Sequence, residues 1–127
     1  MSIAKDAENY VLQNLNRTHQ SQKYVFRSKG EFGFDIRNQA ETHFVEVKGT
    51  SKLTLKDIQF RYLTDKEHKK AKECVEKGRK YEVIVVADVG NRPHIVARLD
   101  AKQILEIAKK ETWWSVSLSK IEAINEN

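Results

Sequence analysis

Apolar residues at helical spacing begin the chain. They recur three or four positions apart over the segment from 3 to 15, namely Ile3, Ala7, Tyr10, Val11 and Leu15. This spacing places them on one face of an amphipathic helix, and Ser2 can cap its first turn. We therefore predict a helix that ends at about Asn16 and carries Glu8 at the border of its apolar face.

Alternating apolar and polar residues next predict three short β-strands. They lie around Tyr24 and Phe26, from about Phe32 to Arg37, and from His43 to Lys48. The polar residues between 38 and 41 join the second and third strands as a hairpin. Because a hairpin returns the chain beside itself, acids carried by its two strands can become neighbours.

The hairpin carries three charged residues of chemical interest. Side chains on a strand alternate between its faces, so Glu46 and Lys48 project from the same side, together with Phe44. Asp35 stands on the preceding strand. Two carboxylates that converge on a divalent cation, with an ammonium group beside them, are the minimal apparatus for metal-assisted cleavage of a phosphodiester.

An acid and a lysine two positions apart also occur by chance in a chain that is 32% charged. The other two copies, Glu67 to Lys69 and Asp100 to Lys102, fall in helical patterns, where residues two apart point in different directions. Only the copy at Glu46 lies among β-forming residues. The alternative interpretation is that Glu46 and Lys48 form the solvated face of an amphipathic strand with a weak ion pair.

The second half of the chain begins with a helix and a buried strand. A capping box at Thr64 and Glu67 starts the helix, and Gly78 ends it. Its predicted buried face carries Ala71, Cys74 and Val75. The apolar run within 81–89 is typical of a strand covered on both faces.

Three more elements complete the predicted architecture. A strand is expected over 94–99, a third helix capped by Asp100 and Gln103, and a last strand over 113–118. Together the elements predict an α/β (α+β) fold: a single three-layer domain over residues 1–127, with a mixed central β-sheet and flanking helices.

Length and composition fit one globular domain. The chain has 127 residues, of which 39% are hydrophobic. No apolar run approaches the roughly 20 residues that cross a bilayer, and no secretory signal precedes the first helix, so we expect a cytoplasmic protein without a membrane partner. The single cysteine, Cys74, leaves no internal disulfide and no cysteine-based zinc site, and we expect it in the core.

The formal net charge of +5 favours anionic partners, although it is ordinary for a soluble domain. Basic residues crowd the stretch that follows the acids, and a nuclease needs such a segment to hold phosphates beside carboxylates. The predicted nucleic-acid contacts are Lys52, Lys56, Arg61, Lys66, Lys69 and Lys70. The alternative for each of them is a solvated helix face.

These residues support a resemblance to a known family. The segments Gly33–Asp35 and Val45–Lys48 resemble the core motif of the restriction-endonuclease-like PD-(D/E)xK nuclease superfamily. With Ile36, the flanking Phe44, Gly49 and Thr50, and the later segment Leu63–Glu67 with Ala71, they resemble one branch of it. That branch is the domain of unknown function at the C-terminus of plant NO VEIN proteins and in many prokaryotic defence proteins. The resemblance covers roughly residues 1 to 90.

The resemblance implies a fold, a cofactor and roles for particular residues. It implies an αβββαβ core in which Asp35 and Glu46 bind Mg²⁺ or Mn²⁺ and Lys48 orients or activates the attacking water. An acid on the first helix often completes the metal site in this superfamily, which implies a supporting role for Glu8. Phe34 stands where the motif has its proline. The implied partner is nucleic acid, most readily DNA, and a homodimer is plausible because relatives often cut two strands with two subunits.

Other residues suggest weaker alternatives. His19, His43, His68 and His94 show no zinc-binding spacing, and we expect them to be surface or structural, although His43 and His68 lie near enough to the predicted cleft to contact a phosphate. The first functional hypothesis is a metal-dependent endonuclease, with Asp35, Glu46, Lys48 and Glu8 as its site. The second is a catalytically silent module that keeps the fold and binds nucleic acid or protein.

Overall fold

A computed structural model describes residues 2–52, 59–60, 64–110 and 116–117 of the chain. Three helices and seven strands are present in the described part. In chain order they are α1 (Ile3–Thr18), β1 (Tyr24–Phe26), β2 (Ile36–Asn38), β3 (His43–Gly49), β4 (Gln59–Phe60), α2 (Asp65–Lys77), β5 (Lys80–Ala87), β6 (His94–Asp100), α3 (Ala101–Lys110) and β7 (Val116–Ser117).

Five strands form the central sheet in the order β1-β2-β3-β5-β6. Neighbours run antiparallel, except that β3 and β5 are parallel, with Glu46 opposite Val83. A parallel pair requires a crossover, and α2 lies within the connection between these two strands. The sheet is therefore mixed, as predicted. β4 and β7 pair separately as a small antiparallel ribbon; the sequence did not predict β4, and much of the predicted last strand lies outside the described residues.

Helices cover both faces of the sheet, which confirms the predicted three-layer α/β architecture. α1 packs Ala7, Val11 and Leu15 on one face. α2 and α3 pack on the other, where Ala71, Cys74 and Ile104 are buried. The side chains of β5 alternate between the two cores, so this strand is buried on both sides, as its apolar run predicts.

The predicted caps at the start of α1, at the start of α3 and at the end of α2 are confirmed. The Ser2 hydroxyl accepts a hydrogen bond from the Lys5 amide at the start of α1. Asp100 and Gln103 exchange side-chain-to-amide hydrogen bonds of 2.9 Å at the start of α3. α2 ends at Gly78, whose φ of 68° places it in the left-handed region that glycine tolerates. Among the described residues, no helix combines the length and apolar character that a membrane-spanning segment needs.

One strand boundary and one burial prediction were wrong. β2 begins at Ile36 rather than Phe32, because Gly33 has a φ of +90° and takes the chain out of the extended conformation; Phe32 is 56% exposed. Val75 was expected in the core but is exposed. The buried face of α2 instead continues toward its first turn, where Glu67 is buried.

The prediction that His43 contacts a phosphate was also wrong. His43 is buried on the face of the sheet opposite Glu46. Its Nδ1 lies 2.6 Å from the Tyr24 hydroxyl, and its Nε2 lies 2.8 Å from Glu82, whose carboxylate also accepts from Arg98. His43 is therefore structural, as the more general interpretation of the histidines predicted.

This buried cluster predicts a pH-dependent contribution to stability. Burial alone would raise the pKa of Glu82, but hydrogen bonds from His43 and Arg98 lower it to about 2 from an ordinary 4.5. A carboxyl with a lowered pKa stabilises the fold above its ordinary pKa, and that contribution is lost as the pH falls toward the folded value. We expect Glu82→Gln to lower the free energy of unfolding by about 3 kcal/mol at pH 7.

Urea unfolding of both proteins across the acid range tests this expectation. The difference in the free energy of unfolding between wild type and Glu82→Gln should be largest at neutral pH. It should disappear as the pH falls from 4.5 to about 2. Glu76→Gln is the control, because the Glu76 side chain is exposed on α2. A gap that stays constant throughout the acid range would show that Glu82 does not stabilise the fold through its charge.

Candidate active site

β3 places Glu46 and Lys48 on the face of the sheet that α2 covers. Phe44, two residues earlier on the same side, belongs to the core beneath α2, whereas Val45 and Val47 point into the opposite core. Glu46 is only 6% exposed, and its Oε2 lies 3.1 Å from the Lys48 ammonium. The interpretation of a solvated strand face is therefore wrong. The pair is enclosed between sheet and helix.

A third charged side chain joins this pair from α2. The Lys48 Nζ lies 3.1 Å from Glu67 Oε1, and the Thr64 hydroxyl donates to the other oxygen of that carboxylate at 3.0 Å. Glu67 is buried. The ammonium thus bridges two carboxylates that are distant in sequence.

Sequence reasoning gave Glu67 only a capping role. The structure confirms half of the capping box, because Thr64 accepts from the Glu67 amide at 3.2 Å. The Glu67 carboxylate is used differently, since it contacts Lys48. A signal for this was present: Glu67, Ala71 and Cys74 are spaced four and three apart, which puts the glutamate on the buried face of the helix.

Asp35 lies at the edge of β2, beside the middle of β3. Its amide donates to the Val45 carbonyl at 2.9 Å, and its carboxylate Oδ2 accepts from the Val47 amide at 2.8 Å. Asp35 therefore approaches β3 along the hydrogen-bonding edge, with Glu46 between the two residues that it contacts. The charge of Asp35 acts on Glu46 and on Glu8.

The electrostatics of Glu46 reflect this crowding. Burial is the largest influence and the charge of Asp35 is the next; together they raise the pKa of Glu46 to about 9, although Lys48 opposes the rise. Strong perturbation of an acid by burial and by a neighbouring carboxylate is typical of functional sites. Glu46 therefore takes up a proton more readily than an exposed glutamate does.

Lys48 remains a cation in the same environment. Burial alone would lower the pKa of its ammonium group, but the carboxylates of Glu46 and Glu67 raise it above its ordinary value. A charged lysine donates hydrogen bonds and stabilises negative charge; it does not accept a proton.

Glu8 lies on α1, which packs on the opposite face of the sheet from Glu46. It is half-buried on α1, and burial first and then the charge of Asp35 raise its pKa. The charge of Asp35 thus raises the pKa of two acids on opposite faces of the sheet, Glu8 and Glu46. Of the four residues predicted from the sequence, Glu46 and Lys48 are in direct contact and Asp35 lies beside them through its contact with the Val47 amide, whereas Glu8 is linked to the others only through the charge of Asp35.

A glycine and a buried tyrosine fix the segment before Asp35. A Cβ atom on Gly33 would lie 2.5 Å from the Lys66 carbonyl oxygen, so the chain passes α2 at a distance that only glycine permits. The Tyr81 hydroxyl donates to the Gly33 carbonyl at 2.9 Å. Asp35, two residues later, therefore has a defined position.

The described residues contain no group of three histidine, cysteine or acidic side chains arranged to hold a metal ion. The acids of the candidate site instead contact groups of the protein. The ammonium of Lys48 lies between Glu46 and Glu67, and the Val47 amide occupies one oxygen of Asp35. The available donors are nevertheless all carboxylate oxygens, which are the ligands that a hard cation such as Mg²⁺ prefers.

Only some of the residues predicted to contact nucleic acid lie close together. Lys66, Lys69 and Lys70 lie together on the first two turns of α2, next to Glu67, whereas Lys52 is exposed after the end of β3. Lys56 and Arg61 lie outside the described residues. His68 is half-buried on α2.

Comparison with known proteins identifies the family to which the chain belongs. No curated protein and no solved structure matches the chain. The family model described as "Protein NO VEIN, C-terminal" matches residues 7–98, which is well over half of the chain and includes Glu8, Asp35, Glu46, Lys48 and Glu67. The chain therefore belongs to the family of the NO VEIN C-terminal domain.

Proposed function

We propose that this domain is a metal-dependent nuclease that hydrolyses phosphodiester bonds, with DNA as the first substrate to test. One observation carries the proposal: the Lys48 ammonium is held 3.1 Å from each of two buried carboxylates, on a strand whose edge is contacted by a third. The α-βββ-α-β order of the helices and central strands and the sequence motif around Asp35 and Glu46 support membership of the PD-(D/E)xK superfamily.

Asp35 and Glu46 would hold a divalent cation, with Glu8 in support. Their oxygen donors suit Mg²⁺ or Mn²⁺. Burial and then the charge of Asp35 raise the pKa of Glu46, and a bound cation would offset both effects. When bound, the ion supplies a Lewis acid and lowers the pKa of a coordinated water molecule.

The chain's own residues would supply the remaining chemistry. Lys48, charged and enclosed, donates to the negative charge that develops on the phosphoryl oxygens or orients the attacking water. Glu67 positions Lys48 through its contact of 3.1 Å. The lysines of α2 offset the negative charge of the acids for an approaching phosphate backbone.

A catalytically silent binding module is the second candidate. Two observations support this candidate. The Lys48 ammonium contacts both Glu46 and Glu67, and the described residues contain no group of three side chains arranged to hold a metal ion. Such a domain would retain nucleic acid through the α2 lysines and leave it intact.

Incubation with plasmid, linear and branched DNA separates the two candidates. The nuclease proposal expects cleavage with Mg²⁺ or Mn²⁺ and none in EDTA. Salt-sensitive retention of DNA without cleavage in either metal would favour the binding module, because phosphate contacts weaken as salt increases.

Glu67 provides a further prediction for the same assay. Glu67→Gln keeps the shape of the side chain but removes the charge that helps to raise the pKa of Lys48. We expect cleavage to fall about tenfold and its alkaline limb to move to lower pH, because Lys48 then loses its proton more readily.

Glu76→Gln is the matched control, since it makes the same change on an exposed position of α2. If Glu67 acts by positioning Lys48, Glu67→Gln should reduce cleavage little further in a protein in which Lys48 is already replaced. Loss of activity with an unchanged pH profile would instead indicate that Glu67 only maintains the helix.

A further inference from the structure

A cavity of about 340 Å³ lies between α2 and the segment that precedes Asp35. Phe32 and Phe34 contribute aromatic surface, and Lys66, Lys69 and Lys70 contribute ammonium groups from the helix. An aromatic surface combined with several cations is the composition of sites that hold an unpaired base and its phosphates.

Phe32 is the unusual member of this set. It is the most exposed of the large hydrophobic side chains in the described part of the chain. The Lys66 ammonium lies 4.2 Å from the centroid of its ring, so the ring and a cation already share one wall of the cavity. Phe34 is buried beneath, with its ring centroid 5.0 Å from that of Phe44.

The two acids that also line the cavity are neutralised by neighbours. Glu31 accepts from Arg37 at 2.9 Å, and Glu73 lies 3.4 Å from the ammonium groups of both Lys70 and Lys77. Within the described residues, Lys66 and Lys69 have no ion-pair partner. The cavity therefore presents net positive charge to a ligand.

The cavity shares helix α2 with the candidate active site, although none of the acids of that site lines the cavity. Lys66 and Lys70 lie on either side of Glu67 along α2, and Phe44 is two residues before Glu46 on the same face of β3. A nucleotide seated in the cavity would therefore lie next to the segment of α2 that carries Glu67.

The geometry points to a binding site for an unpaired nucleotide, with its base stacked on Phe32 and its phosphate beside Lys66 and Lys69. The choice of nucleic acid as ligand rests on the proposed nuclease function. In a duplex the faces of the bases are covered by their neighbours, so stacking on a protein side chain requires a single strand or an extruded base. The substrate is therefore single-stranded nucleic acid or a junction that exposes unpaired bases.

Binding to oligothymidine and to an abasic oligonucleotide of equal length tests this inference. Both probes carry the same phosphates, but only the first has bases. In EDTA, where no cleavage occurs, wild type should bind oligothymidine about tenfold more tightly in fluorescence anisotropy, a typical effect of stacking one base. Phe32→Ala should bind both probes equally, Phe32→Trp should restore the preference, and Val75→Ala, which removes another exposed apolar side chain, should leave it unchanged.

Three results would overturn the inference: equal binding of the two probes by wild type, a preference that survives Phe32→Ala, or a polyglutamate peptide that displaces oligothymidine as well as unlabelled oligothymidine does. The last result would indicate an acidic protein as the ligand. Because binding is measured without metal, these failures are distinct from failure of the nuclease proposal, which appears only as absent cleavage.

Discussion

Replacing Lys48 by methionine is expected to reduce metal-dependent DNA cleavage about a thousandfold, because it removes the enclosed positive charge that the proposed mechanism directs at the reacting phosphate. Methionine keeps the aliphatic stem of the lysine between Glu46 and Glu67. Loss of the shared ammonium leaves Glu46 and Glu67 facing each other, and the pKa of Glu46, already raised by burial and by the charge of Asp35, should rise further. Initial rates on plasmid DNA measure the effect.

Glu46→Gln provides a second route to the same conclusion, because it removes a proposed metal ligand while keeping the size of the side chain. It should reduce cleavage to a similar extent and should unfold at a temperature near that of wild type, whereas Lys48→Met should unfold at a lower temperature because it leaves the buried Glu67 carboxylate without this cation. Lys102→Ala, which changes an exposed lysine on α3, controls for net charge. Cleavage that persists in well-folded Lys48→Met and Glu46→Gln proteins would remove both residues from the mechanism.

Gly33→Ala is expected to cause the largest loss of stability, about 4 kcal/mol. The backbone at Gly33 has a φ of +90°, which penalises any side chain, and the added Cβ would lie 2.5 Å from the Lys66 carbonyl oxygen. Relief of this contact must move α2 or the segment that carries Asp35. We expect the melting temperature to fall by about 15 °C and cleavage to fall with it.

Gly30→Ala is a matched control for this variant. Gly30 has nearly the same conformation, with a φ of +91°, but no atom lies within 4 Å of the position of a Cβ. It should therefore show only the conformational penalty, about 1.5 kcal/mol. If the two alanine variants are equally destabilised, the close approach between the Gly33 segment and α2 does not contribute to stability.

Local signals in the sequence were sufficient for the architecture. Capping residues such as Ser2 and Asp100 form their hydrogen bonds with residues three positions away, so adjacent sequence determines them. The alternation of β3 likewise placed Glu46 and Lys48 on one face, and the apolar run of β5 indicated burial on both sides. Each of these features depends on a few residues that lie close together in the sequence.

The features that sequence reasoning missed depend on tertiary contacts. Glu67 is a functional candidate only because the crossover helix α2 lies over β3, which no local pattern specifies. His43 is enclosed by Tyr24 and Glu82 from two other strands. β2 starts late because Gly33 is turned by its approach to α2. In each case the deciding partner is far away in the sequence.

A crystal soaked in Mn²⁺ and measured at the manganese absorption edge tests the central claim most directly. The nuclease proposal expects an anomalous peak within about 2.2 Å of carboxylate oxygens from both Asp35 and Glu46, because both are assigned as ligands. Full occupancy of manganese elsewhere on the protein, with Glu46 still bound only to Lys48, would contradict it.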